Sequence, residues 1–233
     1  MSIVIAILKQ PVCCISTDSC QTKIYDFSNP ALNEYYNDVN KIHLFGKFVI
    51  AECGNPRAFS EYWQAAERSH IAARGIEYFT MRSREIISAA SERWRRHYSA
   101  KWPSMPPEKV RSFSRAIAII AGYSLREGRI IVSAVSDDES LCATLPENGF
   151  IVSGGSSEAQ RGAHDYLNKL LTGRRNMAQT TQKMLQASIM TARHASRLEY
   201  RHTAMKSIAG RVRQMVIEGD SPPVVVVDPV VNI

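Results

Sequence analysis

The chain lacks any long hydrophobic run. Its apolar stretches are far shorter than the ~20 residues that a membrane-spanning helix needs. The first apolar stretch, residues 3–8, has no basic segment before it and ends at Lys9, unlike a secretory signal peptide. These absences argue against a membrane or secreted protein and predict a soluble, cytoplasmic one.

Sequence motifs for disulfides, metals and nucleotides are also missing. The five cysteines are an odd number and include no C-x-x-C pair, so we expect reduced cysteines that pack as small apolar residues. The six histidines are scattered and form no H-E-x-x-H segment. No G-x-x-x-x-G-K-[ST] segment is present to cradle a phosphate. The sequence therefore predicts no metal and no cofactor.

Positive charge is in excess, with 29 Lys and Arg against 22 Asp and Glu and a net charge of +7. The densest basic cluster, residues 93–97, lies in a helical pattern, and no basic block is interleaved with aromatic residues. We therefore predict a solvated or subunit-facing surface and no nucleic-acid partner. A nucleic-acid-binding protein is the outlying alternative, which a steep fall in affinity with salt would support.

Apolar periodicity predicts strands, two helices, strands, two helices and a last strand. The predicted strands cover residues 2–8, 11–18, 41–45, 48–51, 116–123, 129–135, 140–144, 149–152 and 209–217. The predicted helices lie within 57–101 on both sides of Gly75, directly after Pro106, over 157–172 with Gly173 as C-cap, and over 177–198. Residues 21–40 are polar and predict a long excursion.

This order fits an α+β fold in which two antiparallel sheets pack face to face with helix pairs outside, a four-layer αββα sandwich. No repeat or linker divides the sequence, so we predict a single domain over residues 1–233. The C-terminal tail, from about 219 to 233, forms a last strand or an arm on a neighbouring subunit.

The start of the chain holds a candidate catalytic group. Ser2 becomes the amino-terminal residue if Met1 is removed, and Met is usually removed before a residue as small as Ser. An amino-terminal nucleophile needs a hydroxyl on the first residue of the processed chain, here Ser2. It also needs a nearby carboxylate and an amine, which Asp18 and Lys41 would supply. The hydroxyl attacks, the free α-amine takes its proton, and the lysine lowers the local proton affinity.

Each of these residues has a plainer interpretation by itself. Serine at position two is common and usually has no catalytic meaning. Asp18 alone would be a turn or cap residue, and Lys41 alone would be an edge-strand charge that discourages aggregation. His43 is better explained as a packed, hydrogen-bonded histidine than as a base. Only the combination, in the right element order, favours catalysis.

The combination resembles the proteasome β-subunit and bacterial HslV-type family of N-terminal-nucleophile (Ntn) hydrolases. Residues 2–4 stand where that family has its nucleophilic Thr and first strand. Residues 16–19 match its aspartate element, and residues 40–42 resemble the segment with its active-site lysine. Residues 53–55 resemble its glycine turn, and residues 153–156 its glycine-serine-glycine turn.

The resemblance implies a peptidase that hydrolyses peptide bonds inside a ring-shaped chamber. Ser2 would be the nucleophile, Lys41 and Asp18 would form a charged pair beside it, and the backbone amide near Gly54 would hold the oxyanion. It further implies self-association into stacked rings, protein or peptide substrates and an ATP-dependent unfoldase as partner.

Two departures from that family keep other functions open. The family's serine in the glycine-serine-glycine turn falls on Gly154, and its second aspartate has no clear match, although Glu199 lies near that place. These departures favour a catalytically inactive, structural ring subunit of the same fold. An Ntn amidase for a small molecule is the third possibility.

Overall fold

The computed structural model of the protein describes residues 2–23, 33–36, 38–69, 71–145, 147–173 and 176–226. These residues form an α+β fold with five α-helices and three antiparallel sheets. The strands are β1 (Ile3–Lys9), β2 (Val12–Asp18), β3 (Gln21–Lys23), β4 (Glu34–Tyr36), β5 (Ile42–Phe45), β6 (Phe48–Gly54), β7 (Ala116–Ser124), β8 (Arg129–Ser136), β9 (Ala143–Thr144), β10 (Asn148–Gly154), β11 (Val212–Glu218) and β12 (Val224–Val226). The helices are α1 (Pro56–Arg68), α2 (Ile76–Lys101), α3 (Pro107–Ser114), α4 (Ser157–Thr172) and α5 (Thr181–Thr203).

Strands β1 and β2 lie inside a five-stranded sheet of order β10-β1-β2-β11-β12. Successive side chains of a strand point to opposite faces, and both faces of this sheet are covered. Ile3, Ile5 and Ile7 therefore pack in one apolar cluster, whereas the intervening Val4 and Ala6 pack in another. The same alternation separates the adjacent Cys13 and Cys14, as their sequence position predicts.

The second five-stranded sheet has the order β5-β6-β7-β8-β9, and β3 pairs with β4 in a small third sheet. Three apolar clusters connect these elements. The first lies between the β1–β2 sheet and helices α4 and α5, and the second contains side chains of both large sheets. The third joins the second sheet to helices α1 and α2 and includes Phe59, with Trp63 and Trp94 partly buried against it.

Several predicted boundaries are wrong. Helix α5 begins at Thr181, not at 177, because the Thr180 side chain caps it by accepting a hydrogen bond from the Lys183 N–H. It continues to Thr203, five residues past the prediction. The excursion over 21–40 contains the short strands β3 and β4, which the polar composition conceals. Of the strand predicted over 140–144, the first two residues belong to a 3-10 turn, Glu139–Leu141, and only the last two form β9.

The tail supplies a strand as far as residue 226, where β12 pairs with β11. The rest of the predicted tail lies outside the described residues. Among the helices that the structure describes, none combines the length and the apolar character needed to cross a membrane. In the basic cluster on α2, Arg93 pairs with Glu61 and Arg96 pairs with Glu92.

Candidate active site

Ser2 and Asp18 lie at the same end of the central strands. The antiparallel register pairs Val4 with Thr17, so Ile3 lies opposite Asp18 and Ser2 directly precedes Ile3. Asp18 is fully buried, and its Oδ1 accepts a hydrogen bond from the Ile3 N–H at 2.8 Å. Its Oδ2 accepts another from the Cys20 N–H at 3.0 Å. Asp18 thus fixes the backbone that directly follows Ser2, which is itself 6% exposed.

Lys41 reaches the same carboxylate from the residue before β5. Its Nζ donates to Asp18 Oδ2 at 3.0 Å and also to the carbonyl oxygen of Cys20. The Lys41 side chain is 6% exposed, so the ion pair is buried and oriented by several hydrogen bonds. The structure therefore brings three sequence-predicted residues together, with a fixed positive charge beside Ser2.

Gly54 ends β6 in a backbone conformation that side chains rarely adopt, with φ of +106°. A Cβ atom there would lie 2.3 Å from the carbonyl oxygen of Arg115. That oxygen accepts a hydrogen bond from the N–H of Asn55, the residue that caps α1. Glycine is therefore required here by both conformation and space, at the point where the chain turns from β6 into α1.

Gly154 approaches Ser2 even more closely. It pairs with Ile3 at the end of β10, has φ of +98°, and would place a Cβ 1.9 Å from the carbonyl oxygen of Ser2. The serine of the family's glycine-serine-glycine turn therefore does not fit at this position. Ser153, one residue earlier, accepts a weak hydrogen bond from the Cys53 thiol, 3.8 Å from Sγ to Oγ.

Glu199 supports the turn that follows Gly154. It is fully buried on α5, where its Oε2 accepts from the Ser156 N–H at 2.7 Å and its Oε1 from the Ser207 hydroxyl at 2.8 Å. Sequence position alone places Glu199 near a catalytic aspartate of the family. The hydrogen bonds show that its carboxylate holds the residue 153–156 turn.

A cavity lies beside Ser2. The cavity and its open mouth together hold about 400 Å³ of empty space. Its walls are Ser2, Gln21, Thr22, Val39, Lys41, Glu52, Cys53, Gly54, Pro56 and Phe59. Sequence analysis missed Glu52, whose position on a strand carries no motif. In the described part of the chain, no cluster of three or more His, Cys, Asp or Glu side chains could hold a metal ion.

Cys53 is the other potential nucleophile of the cavity. Burial raises its pKa to about 11, although the Ser153 hydrogen bond and the Lys41 charge oppose the shift. A thiol with so high a pKa is almost wholly protonated near pH 7.5, and the thiolate is the reactive form. Ser2 is therefore the better candidate for the nucleophile.

We expect Cys142 to be the first cysteine that iodoacetamide alkylates in the native protein. Cys142 is partly exposed, whereas Cys13, Cys14, Cys20 and Cys53 are buried, and burial raises the pKa of each of these four thiols. Peptide mapping by mass spectrometry at pH 7.5 measures the order. Alkylation of Cys53 before Cys142 would contradict the buried, protonated thiol.

Comparison with solved structures shows the same fold in Anbu proteins. A mutant of Anbu from Hyphomicrobium sp. strain MC1 superposes with a TM-score of 0.63 and 11% identity, over 100% of this chain and 87% of that one. "Anbu (ancestral beta-subunit)" from Yersinia bercovieri gives 0.61 and 10% identity, over 97% of this chain and 87% of that one. A second structure of the Hyphomicrobium protein superposes with a TM-score of 0.61 and 12% identity, over 99% of this chain and 87% of that one.

No sequence profile of a known family matches the chain, and no curated protein matches it. The assignment to the proteasome β-subunit and HslV-type family is wrong, because the three similar structures described above are those of Anbu, which is a distinct proteasome-like group. The motifs around Ser2, Asp18 and Lys41 do not separate one proteasome-like group from another. At 10–12% identity, the likeness to Anbu shows the fold alone.

Proposed function

We propose that the chain is a proteasome-like Ntn peptidase subunit that cuts peptide bonds with Ser2 as its nucleophile. Its 233 residues would form one αββα domain of four layers. The observation that carries the proposal is the convergence of Ser2 and Lys41 at one cavity, with the buried Asp18 paired with Lys41. These residues come from three separate elements, and two of them form a buried ion pair.

The reaction would start once Met1 has been removed. The Ser2 Oγ attacks the carbonyl carbon of the scissile bond, and the free α-amine of Ser2 accepts the hydroxyl proton. The fixed charge of Lys41 favours the neutral, basic form of that amine, and Asp18 orients Lys41. The backbone N–H near Gly54 stabilises the negative charge that develops on the carbonyl oxygen.

The attack forms a tetrahedral intermediate, and its collapse breaks the C–N bond of the scissile peptide. The α-amine returns the proton to the leaving amine, and the acyl group stays on Ser2 as an ester. A water molecule then attacks the ester, with the same amine as base, and restores the free hydroxyl. Every proton transfer uses groups of the Ser2 residue, so the mechanism depends on a free amino terminus.

Ring assembly is the quaternary part of the proposal, with protein or peptide substrates and an ATP-dependent unfoldase as partner. The fold shared with "Anbu (ancestral beta-subunit)" supports it.

A structural ring subunit without activity is the second candidate. Gly154 favours it, because the position offers no hydroxyl and has no room for one beside the Ser2 carbonyl. Glu199 favours it as well, because its two oxygens are occupied by the turn and by Ser207.

Peptide hydrolysis by the full chain decides between the two. We expect Ser2→Ala to lower kcat/KM for fluorogenic peptides roughly a thousandfold or more, because it removes the nucleophile. Ser2→Thr keeps the hydroxyl and should retain activity. Ser99→Ala, an exposed serine on α2, is the matched control. Equal turnover by the Ser2→Ala and unaltered proteins would contradict the proposal.

A further inference from the structure

Glu52 lines the cavity beside Ser2, and one of its carboxylate oxygens is unpaired within the described residues. Its Oε1 lies 3.0 Å from His43 Nε2, and the side chain is only 15% exposed. Its Oε2 is buried and has no hydrogen-bond partner within the described residues. A buried carboxylate oxygen without a partner is unfavourable, so a bound group that donates to it would gain free energy.

The surroundings hold this carboxylate in place. The His43 ring that pairs with Oε1 packs against Trp63, with ring centroids 4.8 Å apart. On β6 the neighbouring Cys53 points into the cluster shared by the two large sheets. Because side chains alternate along a strand, Glu52 points to the opposite face, towards α1. The acid is therefore oriented before any ligand binds.

Charge in the cavity favours a cation. Among the described side chains of its wall, Lys41 is the cation, and its ammonium is already paired with Asp18 and hydrogen-bonded to the Cys20 carbonyl. Glu52 adds a carboxylate of which one oxygen is paired with His43 and the other has no partner within the described residues. The apolar wall residues Val39, Pro56 and Phe59 suit the methylene stem of a long basic side chain.

We propose that this cavity binds the arginine or lysine side chain of the substrate residue that precedes the scissile bond, through Glu52 Oε2. The inference rests on the proposed function, since it places the substrate's carbonyl against Ser2. It names the substrate class of the site as peptides cut after a basic residue.

Binding to the Ser2→Ala protein tests the cation site without any need for catalysis. Isothermal titration compares acetyl-Leu-Leu-Arg-amide with acetyl-Leu-Leu-citrulline-amide, which has nearly the same shape and no charge. We expect the arginine peptide to bind about tenfold more tightly or better, because a charged hydrogen bond forms in a buried place. Adding Glu52→Gln should remove the difference.

Glu61→Gln is the matched control, because it removes a carboxylate on the adjacent helix α1 that pairs with Arg93 and does not line the cavity. It should keep the preference for arginine. Equal binding of the two peptides, no binding of either, or an arginine preference that survives Glu52→Gln would each overturn the inference.

The two proposals fail separately. Selective arginine binding combined with no hydrolysis by the unaltered protein would reject the peptidase and keep the cation site. Hydrolysis that shows no preference between arginine and citrulline before the cut would reject the cation site and keep the peptidase.

Discussion

Lys41→Met is expected to lower the free energy of unfolding by about 3 to 5 kcal/mol, the usual cost of removing one partner of a buried ion pair. Asp18 is fully buried, and Lys41 is the cation that offsets its carboxylate. Methionine fills a similar volume, so the loss of stability comes from the uncompensated charge of Asp18 more than from a cavity. Urea denaturation followed by circular dichroism measures it, and peptide hydrolysis should be lost in the same variant.

Two further variants show whether the loss of stability in Lys41→Met comes from the buried ion pair. Lys47→Met removes an exposed lysine from the β5–β6 turn of the same hairpin and should change stability by less than about 0.5 kcal/mol. Asp18→Asn combined with Lys41→Met removes both charges and should be more stable than Lys41→Met alone. If Lys41→Met were as stable as Lys47→Met, the buried pair would have no structural role.

Gly154→Ala is expected to destabilise the protein by about 3 kcal/mol, from backbone strain together with steric overlap. The new methyl group would lie 1.9 Å from the Ser2 carbonyl oxygen, in a residue whose φ is +98°. Relief of that overlap must move Ser2 or the end of β10. We therefore expect peptide hydrolysis to fall by more than about tenfold, since small displacements of a nucleophile have large effects on rate.

Gly219→Ala is the control that separates backbone strain at a positive φ from steric overlap with a neighbouring atom. Gly219 also has a positive φ, of +55°, but a Cβ there would meet no atom within 4 Å. The change should cost only about 1 kcal/mol for the left-handed backbone, and it should leave hydrolysis intact. Equal effects of the two substitutions on stability would show that the Ser2 carbonyl does not constrain position 154.

Short-range patterns are enough to predict much of the fold. The run over residues 3–8 is apolar at every position because both faces of β1 are covered, and a strand pair follows from it. A tight turn after Lys9 joins β1 to β2, which places Ser2 and Asp18 at the same end of the strand pair.

Contacts between distant segments are not predictable in the same way. Glu52 carries no motif, and its place in the cavity depends on how α1 packs over β6. Glu199 reaches the Ser156 N–H across 43 residues of sequence, a contact that only the packing of α5 beside α4 creates. The choice between branches of one fold is also beyond the sequence motifs, which point to the wrong family.

Intact-mass spectrometry after treatment with a hydroxyl-directed covalent peptide inhibitor tests the account most directly. An active Ser2 requires that the protein has lost Met1 and carries one inhibitor adduct per chain, and the Ser2→Ala protein should carry none. Retained Met1 with no adduct would contradict the catalytic role of Ser2 and leave Asp18 and Lys41 as residues of the fold.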